Sequence, residues 1–338
     1  MTLARSEQID LNATPYYHVM NRCVRRSFLC GYDELTQTDY SHRKAWIVDR
    51  LKYLANIFAI KICAYAIMSN HYHVVLYVED KVTEDWSEEE IISRWSVIFP
   101  KDAKENKHLK QKIQLWKERL TSISWFMRCL NERIARDVNE EDDTAGRFWE
   151  GRFKSQALLD EGALLSAMVY VDLNPIRAGI TKTPEESEFT SIYERIQYIA
   201  KQLKINKPKS IKQQKREKAD LYNHLPQPKS LVPFAHVSKL HTYAINFTLS
   251  DYLELVDYTG RVIRDDKEAG SIPGHLAPIL TRLQFEPKNW ISLVRNLGKN
   301  FSHAVGSEIL LLNFAKTGRK GLKGIAQAKK SYAKELIA

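Results

Sequence analysis

The hydrophobic and polar positions of the first eighty residues predict three strands and one helix. Aromatic and β-branched residues fill 15–24, which is typical of a strand. Apolar residues then recur at helical spacing over 40–58. Two further apolar segments, 60–68 and 71–78, flank a Ser-Asn turn and predict a hairpin. The predicted order is therefore strand, helix, strand, strand.

The middle of the chain is predicted to be mostly helical. Residues 79–107 begin acidic and end rich in lysine, which suggests a partly helical excursion from the core. Apolar spacing predicts one long helix over 109–138, and 156–159 is predicted as a further strand. The next helix is predicted to begin at Asp160, an N-cap residue, and to end at 173, because Pro175 stops it.

The last third of the chain suggests a separate helical module. A helix is predicted at 190–203, and eight basic residues against one acid follow over 201–218, a composition typical of a solvated linker or a non-specific DNA arm. The predicted division is a domain at 1–200, a basic linker at 201–235 and a module at 236–338. The helices predicted in this module are 250–256, 275–283, 289–297 and 302–314.

Composition and charge narrow the class of protein. The chain has 338 residues, 44% of them hydrophobic, with only 13 Gly and 11 Pro, which favours a globular protein with a proper core. The net charge of +10 favours a polyanionic partner, most simply nucleic acid. No apolar run of membrane length and no secretory signal pattern are present, so we expect a cytoplasmic protein without a membrane partner. Its four cysteines lack CxxC spacing and are predicted to be reduced thiols.

Two short patterns carry candidate chemistry. His71 and His73 alternate along a predicted strand, so both imidazoles project from one face and could form half of a divalent-metal site. The alternative is two half-exposed histidines without a ligand. Tyr170 and Asn174 are four residues apart on a predicted helix, which places a phenol and an amide on one face. A tyrosine in this position is otherwise a core residue.

Basic residues suggest where nucleic acid could bind. Arg22 and Arg25 lie at the end of the first strand, where a solvated strand end is the alternative. Arg147, Arg152 and Lys154 alternate with three aromatic residues, a composition that holds phosphates and stacks bases. An aromatic packing cluster at a turn explains the same segment equally well.

In combination, four segments over about residues 15–180 resemble the single-tyrosine HUH transposases, most closely the branch associated with repetitive extragenic palindromes. The segments are Pro-Tyr-Tyr-His-Val at 15–19, Met-Ser-Asn-His-Tyr-His at 68–73, Phe-Trp-Glu-Gly-Arg-Phe at 148–153 and Tyr-Val-Asp-Leu-Asn-Pro-Ile-Arg-Ala-Gly at 170–179. The resemblance implies an α+β fold with a ferredoxin-like antiparallel sheet, followed here by the helical C-terminal module. It implies metal ligation by His71, His73 and Asn174, with Tyr170 as the nucleophile. Arg177, in the last segment, is expected to contact DNA.

The resemblance also implies an activity. It is metal-dependent cleavage and rejoining of single-stranded DNA through a 5′-phosphotyrosine, as a DNA transposase acting on hairpin or palindromic elements. The donor set suits Mg²⁺ or Mn²⁺ completed by water and phosphate oxygens. Hairpin-containing single-stranded DNA is the expected partner, and a homodimer is left open. Two alternatives remain: an HUH nicking enzyme of the replication or relaxase type, and a nucleic-acid-binding regulator without catalysis.

Overall fold

The computed structural model describes most of the chain. The described residues are 8–24, 30–34, 37–102, 109–205, 225–235, 243–264, 280, 285, 289–316 and 322–332. The strands are β1 (Tyr16–Arg22), β2 (Tyr32–Asp33), β3 (Thr38–Asp39), β4 (Ile60–Ile67), β5 (His71–Val78), β6 (Lys154–Leu158) and β7 (Ala304–Val305). The helices are α1 (Arg43–Ile57), α2 (Glu88–Ile98), α3 (Leu109–Leu120), α4 (Ile123–Glu141), α5 (Glu161–Asp172), α6 (Asn174–Arg177), α7 (Ser191–Ile205), α8 (Leu249–Arg264), α9 (Trp290–Asn300), α10 (Glu308–Lys316) and α11 (Ile325–Ser331).

One mixed sheet organises the described residues. Its strand order is β4-β5-β1-β6-β7; the first four strands are antiparallel and β7 adds parallel to β6. The chain follows β1-α1-β4-β5, and the helices α2, α3 and α4 make the crossover from β5 to β6. The order β4-β5-β1-β6 is that of the ferredoxin-like split βαβ unit. The predicted α+β class is confirmed, with a helical region following the sheet.

The register of the central strands separates the sheet into two faces. Tyr17 and Val19 of β1 and Tyr72 and Val74 of β5 are buried on one face. That face is covered by helix α4, where the Tyr72 hydroxyl donates a hydrogen bond to Asn131 Oδ1 (2.6 Å). The histidines of β5 therefore lie on the opposite face, which packs on α5.

Helix α5 is buried on nearly its whole circumference. Every residue of α5 except Glu161 is buried, because β4, β5 and β6 contact it on one side and α8 and α9 on the other. The Asp172 carboxylate accepts hydrogen bonds from Ser191 Oγ, the Ile192 amide and the Tyr252 hydroxyl, which joins the end of α5 to α7 and α8. Burial raises the pKa of this carboxyl to about 6.

Several predicted elements differ from the structure. The single helix predicted over 109–138 is two helices, because the side chain of Ser122 accepts the Trp125 amide and caps the start of α4. The segment predicted as a helix over 302–314 begins with strand β7, and α10 starts only at Glu308. The helix predicted at 275–283 lies outside the described residues except for Leu280.

Other predicted features agree with the structure. The first strand, the helix after it, the hairpin and the helix capped by Asp160 all form close to their predicted bounds. All four cysteines are buried and none is in a disulfide. None of the helices in the described part of the chain has the length and apolarity needed to cross a membrane.

Candidate active site

Three histidines meet on the α5 face of the sheet. His71 and His73 project from β5, with ring centroids 5.1 Å apart. His18 projects from the neighbouring strand β1, and its ring stacks 5.1 Å from that of His73. The antiparallel register sets this cluster, since Met20 lies opposite His73 and Arg22 lies opposite His71.

Hydrogen bonds connect the histidines in a line. The Nε2 atom of His18 is 2.9 Å from Nδ1 of His73, and Nδ1 of His18 is 2.8 Å from Oε1 of Gln156 on β6. The Gln156 amide donates through Nε2 to the carbonyl of Phe301 (2.9 Å), the residue that directly follows α9. Separately, Nδ1 of His71 is 2.6 Å from Oδ1 of Asn70.

Tyr170 lies over the histidines. Its ring centroid is 5.7 Å from that of His73 and 6.0 Å from that of His18, in edge-to-face geometry. The Arg177 guanidinium stacks on the same ring at 4.1 Å from the centroid. Tyr170 is only 8% exposed, and its hydroxyl lies against the backbone of α9 at Gly298.

Asn174 lies on a different helix from Tyr170, and not one turn further along the same helix as the sequence suggests. Helix α5 ends at Asp172 and Asn174 begins α6, so Tyr170 and Asn174 are not on one regular helix. Pro175 has no amide hydrogen and cannot continue the helical bonding of α5. Asn174 is buried, and among the described residues no hydrogen bond joins its side chain to a histidine.

The histidines are neutral at pH 7. Burial lowers the pKa of His18 to about 4, and burial together with the charges of Arg22 and Arg177 lowers the pKa of His71 to about 4. The pKa of His73 lies well below its usual value because of burial, His18, His71 and the same two arginines. The two guanidinium groups therefore lie near the histidine pair, and this positive charge favours an anionic ligand such as a phosphate.

The side chains of His71 and His73 fit part of a metal site. Each uses Nδ1 in a hydrogen bond, which leaves Nε2 available, and ligand histidines in proteins commonly bond in this way through their second nitrogen. Within the described ranges, no three His, Cys, Asp or Glu side chains are grouped to hold a metal ion. A bound cation would accordingly depend on the two imidazoles, an amide such as Asn174 and exogenous oxygens.

The predicted DNA-binding residues fall in two groups. Arg22 and Arg177 lie at the histidine cluster, and the Nε atom of Arg22 is buried without a hydrogen-bond partner among the described residues. Arg147, Arg152 and Lys154 are exposed on the segment before and at the start of β6. Arg25 lies outside the described residues.

The aromatic residues of the 148–153 segment do not face solvent. Phe148, Trp149 and Phe153 are buried, and Trp149 donates a hydrogen bond to the Asn131 carbonyl. Of the two interpretations that the sequence leaves open, their burial favours aromatic packing over base stacking. They form the packing cluster of the alternative interpretation, and the backbone of Glu150 bonds to that of Arg22 at the end of β1 (2.8 Å).

Sequence inspection did not identify His18 and Gln156 as part of the site. Both ring nitrogens of His18 are bonded. The missing information was the register of β1 against β5 and β6, which joins residues 55 and 138 positions apart. The only local signal was alternation, which places His18 and Arg22 on one face of β1.

Comparisons with known proteins give one weak structural match. No protein-family model matches this chain, and no curated protein matches it. One solved structure that is similar is that of a REP-associated tyrosine transposase bound to a REP hairpin, with 13% sequence identity and a TM-score of 0.36. The match covers 58% of this chain and 86% of that one. A likeness this low carries no functional weight, so the function has to follow from the site itself.

Proposed function

We propose that this protein cleaves and rejoins single-stranded DNA with Tyr170 as the nucleophile, as a transposase acting on hairpin or palindromic elements. One observation carries the proposal: the Tyr170 ring lies at the edge of His73 and beneath the Arg177 guanidinium. A phenol, two imidazoles with a free nitrogen and two arginines thus meet at one place. This group of side chains has the chemistry that attack on a phosphodiester requires.

The reaction proposed is a transesterification. The Tyr170 phenol loses its proton, its oxygen forms a bond to the scissile phosphorus, and the O3′ atom leaves and takes up a proton. The products are a 5′-phosphotyrosine and a free 3′-hydroxyl, and attack by a 3′-hydroxyl on the phosphotyrosine rejoins a strand without an external energy source.

The surrounding side chains have separate roles in this scheme. Arg177 and Arg22 bind the phosphate and orient it towards the phenol. His71 and His73, with Asn174 as the third ligand, would hold Mg²⁺ or Mn²⁺, whose charge offsets the negative charge that builds up on the phosphate. The exposed Arg147, Arg152 and Lys154 extend the basic surface along the strand.

Trapping of the covalent intermediate tests the proposal. Hairpin oligonucleotides with randomised stems and single-stranded flanks are incubated with the protein and Mn²⁺ or Mg²⁺, and denaturant-resistant adducts are isolated. We expect mass spectrometry to find the nucleotide on Tyr170, and Tyr170→Phe to abolish the adduct while DNA binding stays within a few-fold. The matched control is Tyr53→Phe, since Tyr53 is exposed on α1, away from the histidines. An adduct on another tyrosine contradicts the assignment.

One observation favours a nucleic-acid-binding regulator as the second candidate. The Tyr170 hydroxyl lies against Gly298, so a phosphate reaches it only when Tyr170 or α9 moves. A regulator needs no such access. Hairpin binding that depends on Arg147, Arg152 and Lys154, with no adduct under any metal condition, would support this alternative.

A further inference from the structure

We propose that His18 and Gln156 are positioning residues that hold His73 as the tautomer protonated on Nδ1, so that its Nε2 lone pair faces the reaction site. This inference rests on the proposed function for its purpose. The tautomer itself follows from the hydrogen bonds, and it is measurable without DNA.

The donor and acceptor of each hydrogen bond can be assigned by starting from the Phe301 carbonyl. A carbonyl can only accept, so the group of Gln156 that faces it must be the NH₂, and Oε1 must face His18. An amide oxygen also only accepts, so His18 carries its proton on Nδ1. The Nε2 atom of neutral His18 is then an acceptor, and the proton in its bond with His73 belongs to Nδ1 of His73.

The arrangement fixes the second nitrogen of His73. Because a neutral imidazole carries one N–H, Nε2 of His73 keeps its lone pair. The bond from His71 Nδ1 to the Asn70 oxygen gives His71 the same tautomer. Both imidazoles of the pair therefore present an unprotonated Nε2. The tautomer of His73 depends on a residue of another strand, His18, whereas that of His71 depends on the preceding residue, Asn70.

The burial of these groups makes the arrangement rigid. His18, His73 and Gln156 are 4%, 3% and 9% exposed, so water cannot readily replace a missing partner. Removal of the Gln156 acceptor would free His18 to carry its proton on Nε2. That proton would then point at Nδ1 of His73 and force the His73 proton onto Nε2, which blocks the lone pair.

The first measurement is the tautomer of His73 in the full-length protein labelled with ¹⁵N-histidine. Long-range ¹H–¹⁵N correlation spectra distinguish the two tautomers, and single substitutions of His18, His71 and His73 assign the signals. We expect the Nδ1–H form of His73 in the native protein. A native His73 protonated on Nε2 overturns the proposal.

The second measurement is the affinity of the full-length protein for Mn²⁺, followed by electron paramagnetic resonance of the free ion. His18→Leu removes the acceptor, and we expect affinity about 10–100-fold lower together with an altered tautomer signal. His18→Gln retains both an oxygen and an NH₂ at this place and should stay within about threefold of the native protein. Ser155→Ala, at the neighbouring position of β6 on the other face, is the matched control and should change neither quantity.

Gln156→Met provides a second test if His18→Leu fails to fold by circular dichroism. It keeps the volume but removes the acceptor, and should also weaken Mn²⁺ binding and move the His73 proton. Unchanged Mn²⁺ affinity in the folded variants, or no Mn²⁺ binding by the native protein, overturns the positioning role. The expected tautomer and affinity changes without any DNA adduct would instead count against the proposed cleavage activity alone.

Discussion

At the scale of single residues, the contact between Tyr170 and Gly298 is the tightest constraint on the site. A Cβ atom placed on Gly298 would lie 2.8 Å from the Tyr170 hydroxyl and 3.4 Å from its Cζ. The tyrosine ring has little room to yield, because His18 and His73 pack against it in edge-to-face geometry and Arg177 covers a face. Glycine at 298 therefore sets where the phenol can be.

Gly298→Ala is expected to displace the Tyr170 side chain. Alanine is intrinsically better than glycine in a helix by about 1 kcal/mol, but overpacking typically costs about 1–3 kcal/mol. We expect a net loss of about 1 kcal/mol in the free energy of unfolding and a reduced yield of the covalent adduct. Chemical denaturation and the adduct assay measure the two effects.

Gly260→Ala on α8 is the comparison for this prediction. Its new Cβ would meet a methyl group of Leu173 at 3.1 Å, a contact that needs a shift of only a few tenths of an ångström. We expect this variant to be close to neutral in both assays. Equal effects of the two substitutions would contradict the prediction that the contact between Gly298 and Tyr170 constrains the position of the phenol.

At the scale of elements, α5 is held between the sheet and the C-terminal helices by a buried polar junction. The Tyr252 hydroxyl on α8 donates to Asp172 Oδ2 (2.5 Å), and both residues are fully buried. A buried carboxylate oxygen without its donor costs about 1–3 kcal/mol. The junction therefore couples the docking of α8 to the end of the helix that carries Tyr170.

Tyr252→Phe is expected to lower the free energy of unfolding by about 1–3 kcal/mol. The matched control lies on the same helix: the Tyr258 hydroxyl is buried without a hydrogen-bond partner among the described residues, so Tyr258→Phe should be neutral or slightly stabilising. Urea denaturation of both variants measures the difference. A smaller loss of stability for Tyr252→Phe than for Tyr258→Phe would contradict the role given to the junction.

Elements with a local signal were predictable from the sequence, and contacts between distant segments were not. The alternation that places His71 and His73 together and the Asp160 cap of α5 are short-range features. The break at Ser122 was missed because the apolar positions of α3 and α4 both continue at helical spacing. The pairing of β1 with β6, which brings Gln156 to His18, depends on the folded sheet and has no counterpart in local spacing.

At the scale of the whole molecule, the part of the chain after residue 225 completes the structure around α5. Strand β7 extends the sheet beside β6, α8 and α9 contact α5, and the Val232 amide bonds to the Ile62 carbonyl on β4 (2.8 Å). Removal of this part would expose the apolar outer side of α5. Its role in DNA affinity is therefore better tested with charge substitutions than with a truncated chain.

Truncation after residue 205 is expected to abolish cooperative thermal unfolding and to increase the binding of a hydrophobic dye. The cause is the removal of the helices that bury α5. Circular dichroism melts and dye fluorescence, compared with the full chain, measure this. A sharp melt without dye binding would show that residues 1–205 fold independently, as the division predicted from the sequence implies.

The basic linker is expected to contribute DNA affinity. Lys207, Lys209, Lys212 and Lys215 lie outside the described residues, and their replacement by glutamine in the full chain removes four positive charges. Each phosphate that these lysines neutralise should contribute about 0.7 to the slope of log affinity against log salt on single strands, so the slope should become shallower in the variant. Hairpin binding at several salt concentrations measures the slope. An unchanged slope would rule out phosphate binding by these lysines.

The hydrogen bond from Gln156 to the Phe301 carbonyl also determines when the site can be complete during synthesis. The two residues are 145 positions apart. At roughly 5–20 residues per second, a ribosome needs about 7–29 s to add that length. Through most of that interval the nascent chain has Tyr170 and the histidines but lacks the carbonyl that orders them. The order of residues along the polypeptide thus delays maturation of the site until Phe301 has been synthesised.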